Sequence, residues 1–181
     1  PASIDDSKLK KNVLARGVDE LYLTADDACA NLDANATAAA LAELLSKVGA
    51  WDVVLCGDGS ADNYAQQVDV QLAARLGVPV VNGATKIAAK GGALEVERTL
   101  EDVVETVEVP LPAVVSVAPD IAEPRIPGMK DILAAGKKPM NVAAADASFD
   151  AKVEVVSCRA PEQADRKLEI IDASEDGAIE R

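Results

Sequence analysis

A six-residue run, Trp51-Asp-Val-Val-Leu-Cys56, stands between two alanine- and leucine-rich segments, and this arrangement constrains the fold more than any other feature. Compact β-branched runs of this kind read as strands buried on both faces of a parallel sheet. Upstream, Asp33 or Asn35 caps a helix that carries Ala38, Leu41, Leu44 and Leu45 and ends near Gly49. Downstream, a loop from Gly57 leads into a second helix over 63–76, stopped by Gly77, and Val78-Pro-Val-Val81 resumes strand character. A short β-prone stretch over 20–24 precedes the first helix. The order strand, helix, strand, helix, strand predicts an α/β sheet with right-handed crossovers.

The flanking segments follow other patterns. Ser3 is the expected cap of an amphipathic helix over 4–16, with Ile4, Leu9, Val13 and Leu14 on its apolar face and Gly17 at its end. Residues 83–109 alternate apolar and polar side chains, and two such runs flank Gly91-Gly92, which reads as a β-hairpin. Residues 103–109 extend this antiparallel section, and 113–118 return as a buried strand. A proline-punctuated loop over 119–131 leads to a short helix over 132–138. The remainder is acidic and alanine-rich, reads as an arm, and has one strand candidate over 152–158. The domain organisation expected is an α/β unit over 1–150 and an extension or partner-wrapping arm over 151–181.

Charge and composition remove several functions. Acidic residues number 31 against 18 basic, a formal charge of −13, which repels a phosphate backbone and argues against nucleic-acid binding. There is no histidine, so Ser-His-Asp and Cys-His chemistry and histidine-ligated metals are excluded within this chain. Cys29, Cys56 and Cys158 are widely separated and form no metal or redox motif, which points to a reduced, cytoplasmic setting. No apolar run approaches a membrane span, and no signal peptide is visible. Aromatics amount to 2% of residues, namely Tyr22, Trp51, Tyr64 and Phe149, so the core must be built from Val, Leu, Ile and Ala.

The segment from Val53 to Val68 carries the most chemistry. Gly57 and Gly59 permit a sharp turn after the strand, Ser60, Asp62 and Asn63 supply polar groups, and a helix is expected to begin at once. The first N–H groups of a helix lack intrahelical partners and carry the positive end of its dipole, so a phosphate placed there is stabilised without lysine. The carboxyl end of a strand is also where open α/β sheets hold ligands. The pattern is neither a Walker loop nor G-x-G-x-x-G. It reads equally as a plain strand-to-helix turn capped by Asp62 or Asn63. Gln66 and Gln67 can reach a ligand or sit in water.

The run Cys-Gly-Asp-Gly-Ser-Ala-Asp-Asn-Tyr-Ala-Gln-Gln-Val over 56–68 resembles the nucleotide loop of the β subunit of electron-transfer flavoproteins of the Fix-type branch. Residues 10–23, 97–102 with 111–115, and 123–130 with Gly-Lys-Lys-Pro at 136–139 resemble further segments of that family in order and spacing, so that the resemblance covers about 8–140. It implies a Rossmann-like, adenine-nucleotide-binding fold and a heterodimer whose α subunit holds the redox FAD. It implies AMP, or a second FAD in bifurcating members, in this subunit. The implied cofactor contacts are Gly57, Gly59, Ser60, Asp62, Asn63, Gln66, Gln67 and Val68, largely through backbone N–H groups. Val68 stands where the family often has Thr, so only its amide would serve. Arg125, Met129 and Lys130 fall in the implied partner-docking segment, with Met129 as the apolar anchor for an acyl-CoA-type or related dehydrogenase, or a quinone oxidoreductase. The family begins with a strand and an adenine-contacting loop that have no counterpart here, and the sequence has no initiator Met, so a fragment is expected.

Plainer readings stand beside these. Arg125 and Lys130 can pair with surface acids, Lys137 and Lys138 can complement a helix C-terminus, and Met129 can fill a gap. Two other functions fit the fold class, a stand-alone adenine-nucleotide sensor and an enzyme acting on an adenylate. The second lacks a histidine, a P-loop lysine and a nucleophile motif.

Overall fold

In the computed structural model the order is α1 (Ser7–Ala15), β1 (Leu21–Thr24), α2 (Ala34–Val48), β2 (Val53–Gly57), α3 (Val68–Leu76), β3 (Val80–Lys90), β4 (Ala93–Thr99), β5 (Val104–Pro110), β6 (Ala113–Val117), α4 (Met129–Ala135) and β7 (Met140–Ala143). The structure describes residues 1–61, 63–164, 170–172 and 174. Strand β6 is apolar enough to be covered on both faces, and Ala113 through Ser116 are all buried. It lies in parallel between β2 and β3. β4 and β5 then add antiparallel, giving the sheet order β2-β6-β3-β4-β5. The fold is therefore mixed α/β with a parallel centre and an antiparallel flank.

Two local devices shape this sheet. Gly91 and Gly92 have φ of 55° and 92°, the left-handed backbone that a two-residue hairpin turn demands. β3 leaves β6 and joins β4 through a register shift between Val81 and Ala84. There Gly83 has φ of 65° and donates its N–H to Ser116 Oγ at 3.2 Å. That bond satisfies a fully buried hydroxyl, which would otherwise be costly. The core around Val81, Ala84, Leu94, Val96, Val109, Ala113 and Val115 uses only small and medium side chains. Leu72 and Ala73 are buried on α3, which packs on β6 and β3.

A second, two-stranded sheet forms beside the first. β1 pairs in parallel with β7, not with β2. Leu14 and Ala15 of α1 and Ala135 of α4 are buried with Leu21 and Met140 packed against them. Lys138 ties the module by donating from Nζ to the carbonyls of Leu14, at 3.1 Å, and Val18. Beyond β7 the chain is held by carboxylates. Asp26 accepts from Ala145 N at 3.1 Å, and Glu43 accepts from Asp146 N at 2.9 Å. Asp33 caps α2 through Ala36 N at 2.7 Å and grips Lys152 N and Val153 N at 2.5 and 2.9 Å.

Several expectations are corrected. The first helix begins at Ser7 and is capped by Asp6, because a 3-10 turn occupies Ala2–Ile4. β2 is not buried on both faces. It is an edge strand, paired only with β6 among the described residues, and Leu55 is 62% exposed. The third helix starts at Val68 and not at Asn63, because Tyr64 and Gln66 hold φ of 46° and 51°. The last helix starts at Met129, three residues earlier than expected. Residues 140–143, which the sequence places in the arm, form β7, which pairs with β1 and packs Met140 against the small core. Residues 152–158 are not a strand.

Leu14→Ala should destabilise the chain by about 2–5 kcal/mol, as removal of a fully buried leucine usually does. Denaturant unfolding measures this, and a loss below about 0.5 kcal/mol would contradict the small core. The second expectation concerns pH. Asp33 is held below the ordinary carboxylate range by the Ala36 N–H first, with Lys152 and Val153 adding. Its grip on the tail is therefore complete above the ordinary range of about 4 and is lost as pH falls through the lowered value. Amide protection at Lys152 and Val153 should fall on acidification before that of β6. Protection that survives in Asp33→Ala would contradict this.

Candidate functional site

The loop between β2 and α3 lies at the carboxyl end of a parallel strand, where the adjacent β6 also ends and β3, on the far side of β6, bends. Gly57 closes β2 and Val68 opens α3. Gln67 occupies the cap position of α3 without capping it, since its side-chain Oε1 accepts from Gln71 Nε2 at 3.1 Å instead of from a helix amide. The first amides of α3 thus keep the unpaired, positive character of a helix start. Asp69, in the first turn, is a buried charged residue. Burial, then the charge of Asp69, push the Cys56 thiol upward.

The expected site residues do not all converge. Gly57 and Val68 line an apolar cavity of about 380 Å³ that lies between β1 and β2, over Leu41, Leu44 and Leu45 of α2. Gln67 lines a second cavity, of about 500 Å³, with Asn35, Gln71 and Arg75. Gln66 is turned to Asp58, donating from Nε2 to Oδ2 at 3.0 Å. Ser60 is exposed and its hydroxyl accepts from Asn63 N at 3.4 Å, while its carbonyl accepts from Tyr64 N at 3.0 Å. Asp62 lies outside the described residues. Gly59 is covered by the Tyr64 ring, since a Cβ built on it would stand 2.5 Å from Tyr64 Cδ2.

Gln71, Arg75 and Asn35 were missed from sequence. Arg75 donates from Nη2 to Asn35 Oδ1 at 2.8 Å. The side-chain oxygen of Gln71 is buried with no hydrogen-bond partner among the described residues, an acceptor suited to a ligand hydroxyl or amine. The signal available was the i, i+4 spacing of Gln67, Gln71 and Arg75 on one helix face.

The second expected surface lies on α4. Met129 is 73% exposed, and Ile126 and Leu133, also missed from sequence, are 89% and 68% exposed. Met129 and Leu133, four apart on α4, with Ile126 in the loop just before it, mark a contact surface more than isolated exposed residues do. Lys130 is exposed on the same helix. Arg125 has a structural task. It pairs with Asp131 at 2.8 Å, and Asp131 in turn accepts from Gly128 N at 2.9 Å to close the start of α4. The Gly128 amide first, with Arg125 adding, holds the Asp131 carboxyl below its ordinary range.

Among the described residues no helix is long and apolar enough to cross a membrane. Residues 2–148 match the family model described as the electron transfer flavoprotein domain. The match spans more than half of the chain and includes the β2–α3 loop and α4, and on that basis the chain belongs to the electron transfer flavoprotein family, a family of electron carriers.

Proposed function

We propose that this chain is the β subunit of a Fix-type electron-transfer flavoprotein, working in a reducing cytoplasmic setting. It holds an adenine nucleotide, AMP or a second FAD, at the loop from Gly57 to Val68. It pairs with an α subunit that carries the redox FAD and presents α4 to dehydrogenases or a quinone oxidoreductase. The observation that carries the reading is the uncapped start of α3 at the carboxyl end of β2, inside the family match. Orphan amides there suit an anionic group, and Gly57 leaves open space beside the backbone, with nothing within 4 Å of a built Cβ. These features fit a nucleotide phosphate. The flavin, when bound, supplies the electron-accepting chemistry. The residues of this chain bind and orient, through Val68 and its neighbouring amides, with Ser60, Asp62, Asn63, Gln66 and Gln67 as polar contacts.

The exposed Ile126, Met129 and Leu133 favour an electron carrier that docks over a stand-alone sensor, which needs no such surface. An unbranched thioether suits contact with partners of several shapes. We read 1–150 as a nucleotide-binding unit without its first strand and loop, and 151–181 as a partner-wrapping arm, of which 165–169, 173 and 175–181 lie outside the described residues. The apolar cavity between β1 and β2, each paired on one side only among the described residues, supports a further strand at that place. Val153, Val155 and Val156, all exposed, support the arm.

Asn63→Asp should weaken AMP binding by about fivefold or more, because it adds a negative charge near the phosphate. Isothermal titration measures this, and unchanged affinity would count against the loop. Met129→Lys should slow electron delivery to a dehydrogenase while leaving the heterodimer and its stability intact, within about 0.5 kcal/mol. A normal transfer rate would remove Met129 from the docking role. The absorption of the extracted ligand distinguishes colourless AMP from yellow FAD.

A further inference from the structure

Tyr64 and Asp58 belong to no role assigned so far, yet together they determine the shape of the loop. The Tyr64 hydroxyl donates to Asp58 Oδ2 at 2.7 Å, and Gln66 Nε2 donates to the same oxygen at 3.0 Å. The Tyr64 ring fills the space that the missing side chain of Gly59 leaves, where a built Cβ would come within 2.5 Å of Cδ2 and 2.7 Å of Cε2. The backbone is strained to allow it. Tyr64 and Gln66 both sit in the left-handed region, at φ of 46° and 51°, which non-glycine residues seldom occupy. The hydrogen bonds to Asp58 offset that strain. The phenol responds to the same contact, since the bond to Asp58, then its charge, pushes the Tyr64 hydroxyl upward in pKa.

We propose that Asp58 and Tyr64 form a latch that closes the β2–α3 loop and sets its affinity for a phosphate-bearing ligand. When latched, the ring covers Gly59, Gln66 is engaged by Asp58, and a carboxylate stands at the entrance. When unlatched, the ring swings into solvent, where 55% of the residue's surface already lies. Gln66 is then released, and the strain at both left-handed positions is relieved. Ligand entry and latch opening are thereby one equilibrium, and the apparent affinity is the intrinsic affinity multiplied by the unlatched fraction. The part that concerns phosphate rests on the nucleotide reading above; the latch itself rests only on the loop geometry.

Two variants separate these. Tyr64→Phe keeps the ring and removes the bond to Asp58. Gly59→Ala keeps both latch residues and expels the ring by its methyl group, at a residue whose φ is not left-handed. In the full chain without ligand, hydrogen exchange of the Tyr64 amide, which is bonded to Ser60 O at 3.0 Å, should accelerate about tenfold in both variants. Tyr64→Phe should also bind AMP about tenfold more tightly by titration calorimetry, because loss of a hydrogen bond to a charged group raises the unlatched fraction by that order. Exchange equal to that of the unaltered chain in both variants would overturn the latch. AMP affinity unchanged in Tyr64→Phe, with exchange raised, would overturn its control of the ligand and leave the nucleotide reading standing. Raised exchange with no AMP bound by any of the three proteins would support the latch and overturn the nucleotide reading.

Discussion

The parallel seam made by β6 is the constraint on which the rest depends. Its residues from Ala113 to Ser116 are buried, so it must be covered on both faces and paired on both edges. Pairing in parallel with β2 and β3 brings the carboxyl ends of those strands to one side. The β2–α3 loop leaves from that side, and α3, packed on β6 and β3 through Leu72 and Ala73, points its unpaired first amides back toward it. The position of the candidate site thus follows from one strand's hydrophobicity.

The chain achieves this with almost no aromatic surface. Val, Leu and Ala pack the sheet, and polar groups do much of the remaining work at specific points. Ser116 anchors the bend of β3, Lys138 secures the end of α1, and Asp26, Glu43 and Asp33 hold the chain beyond β7. A carboxylate that caps a helix and grips two distant amides serves local and long-range structure together, as Asp33 does. In a chain of charge −13, such bonds place acidic side chains against N–H donors, where they are stabilised, and away from one another.

Where local chemistry decides the structure, the sequence was legible. Gly91-Gly92 dictated the hairpin, Asp33 capped α2, and the β-branched run over 113–118 became the buried strand. Non-local pairing was not legible. β7 is four residues long and its partner β1 lies more than a hundred positions away, whereas the equally strand-like 152–158 found no partner. The edge position of β2 depended on sheet order, which no local pattern encodes. At the site, the loop and its glycines were readable as a turn. The helix start was misplaced because alanine, glutamine and valine are compatible with helix, and nothing in their order reveals left-handed backbone at Tyr64 and Gln66. Arg125 shows the converse. Its surface setting suggested docking or a bland pair, and its geometry at Asp131 gives it a structural role.

The central claim is that the amides at the start of α3 receive the anionic end of a nucleotide. Titration of the isotopically labelled chain with AMP, followed by amide chemical shifts, tests it most directly. The account predicts that the largest shifts fall on Val68, Asp69 and Val70 and on Gly59. Saturating AMP that leaves these amides unmoved, or that shifts only residues beside Asn35 and Arg75, would contradict it.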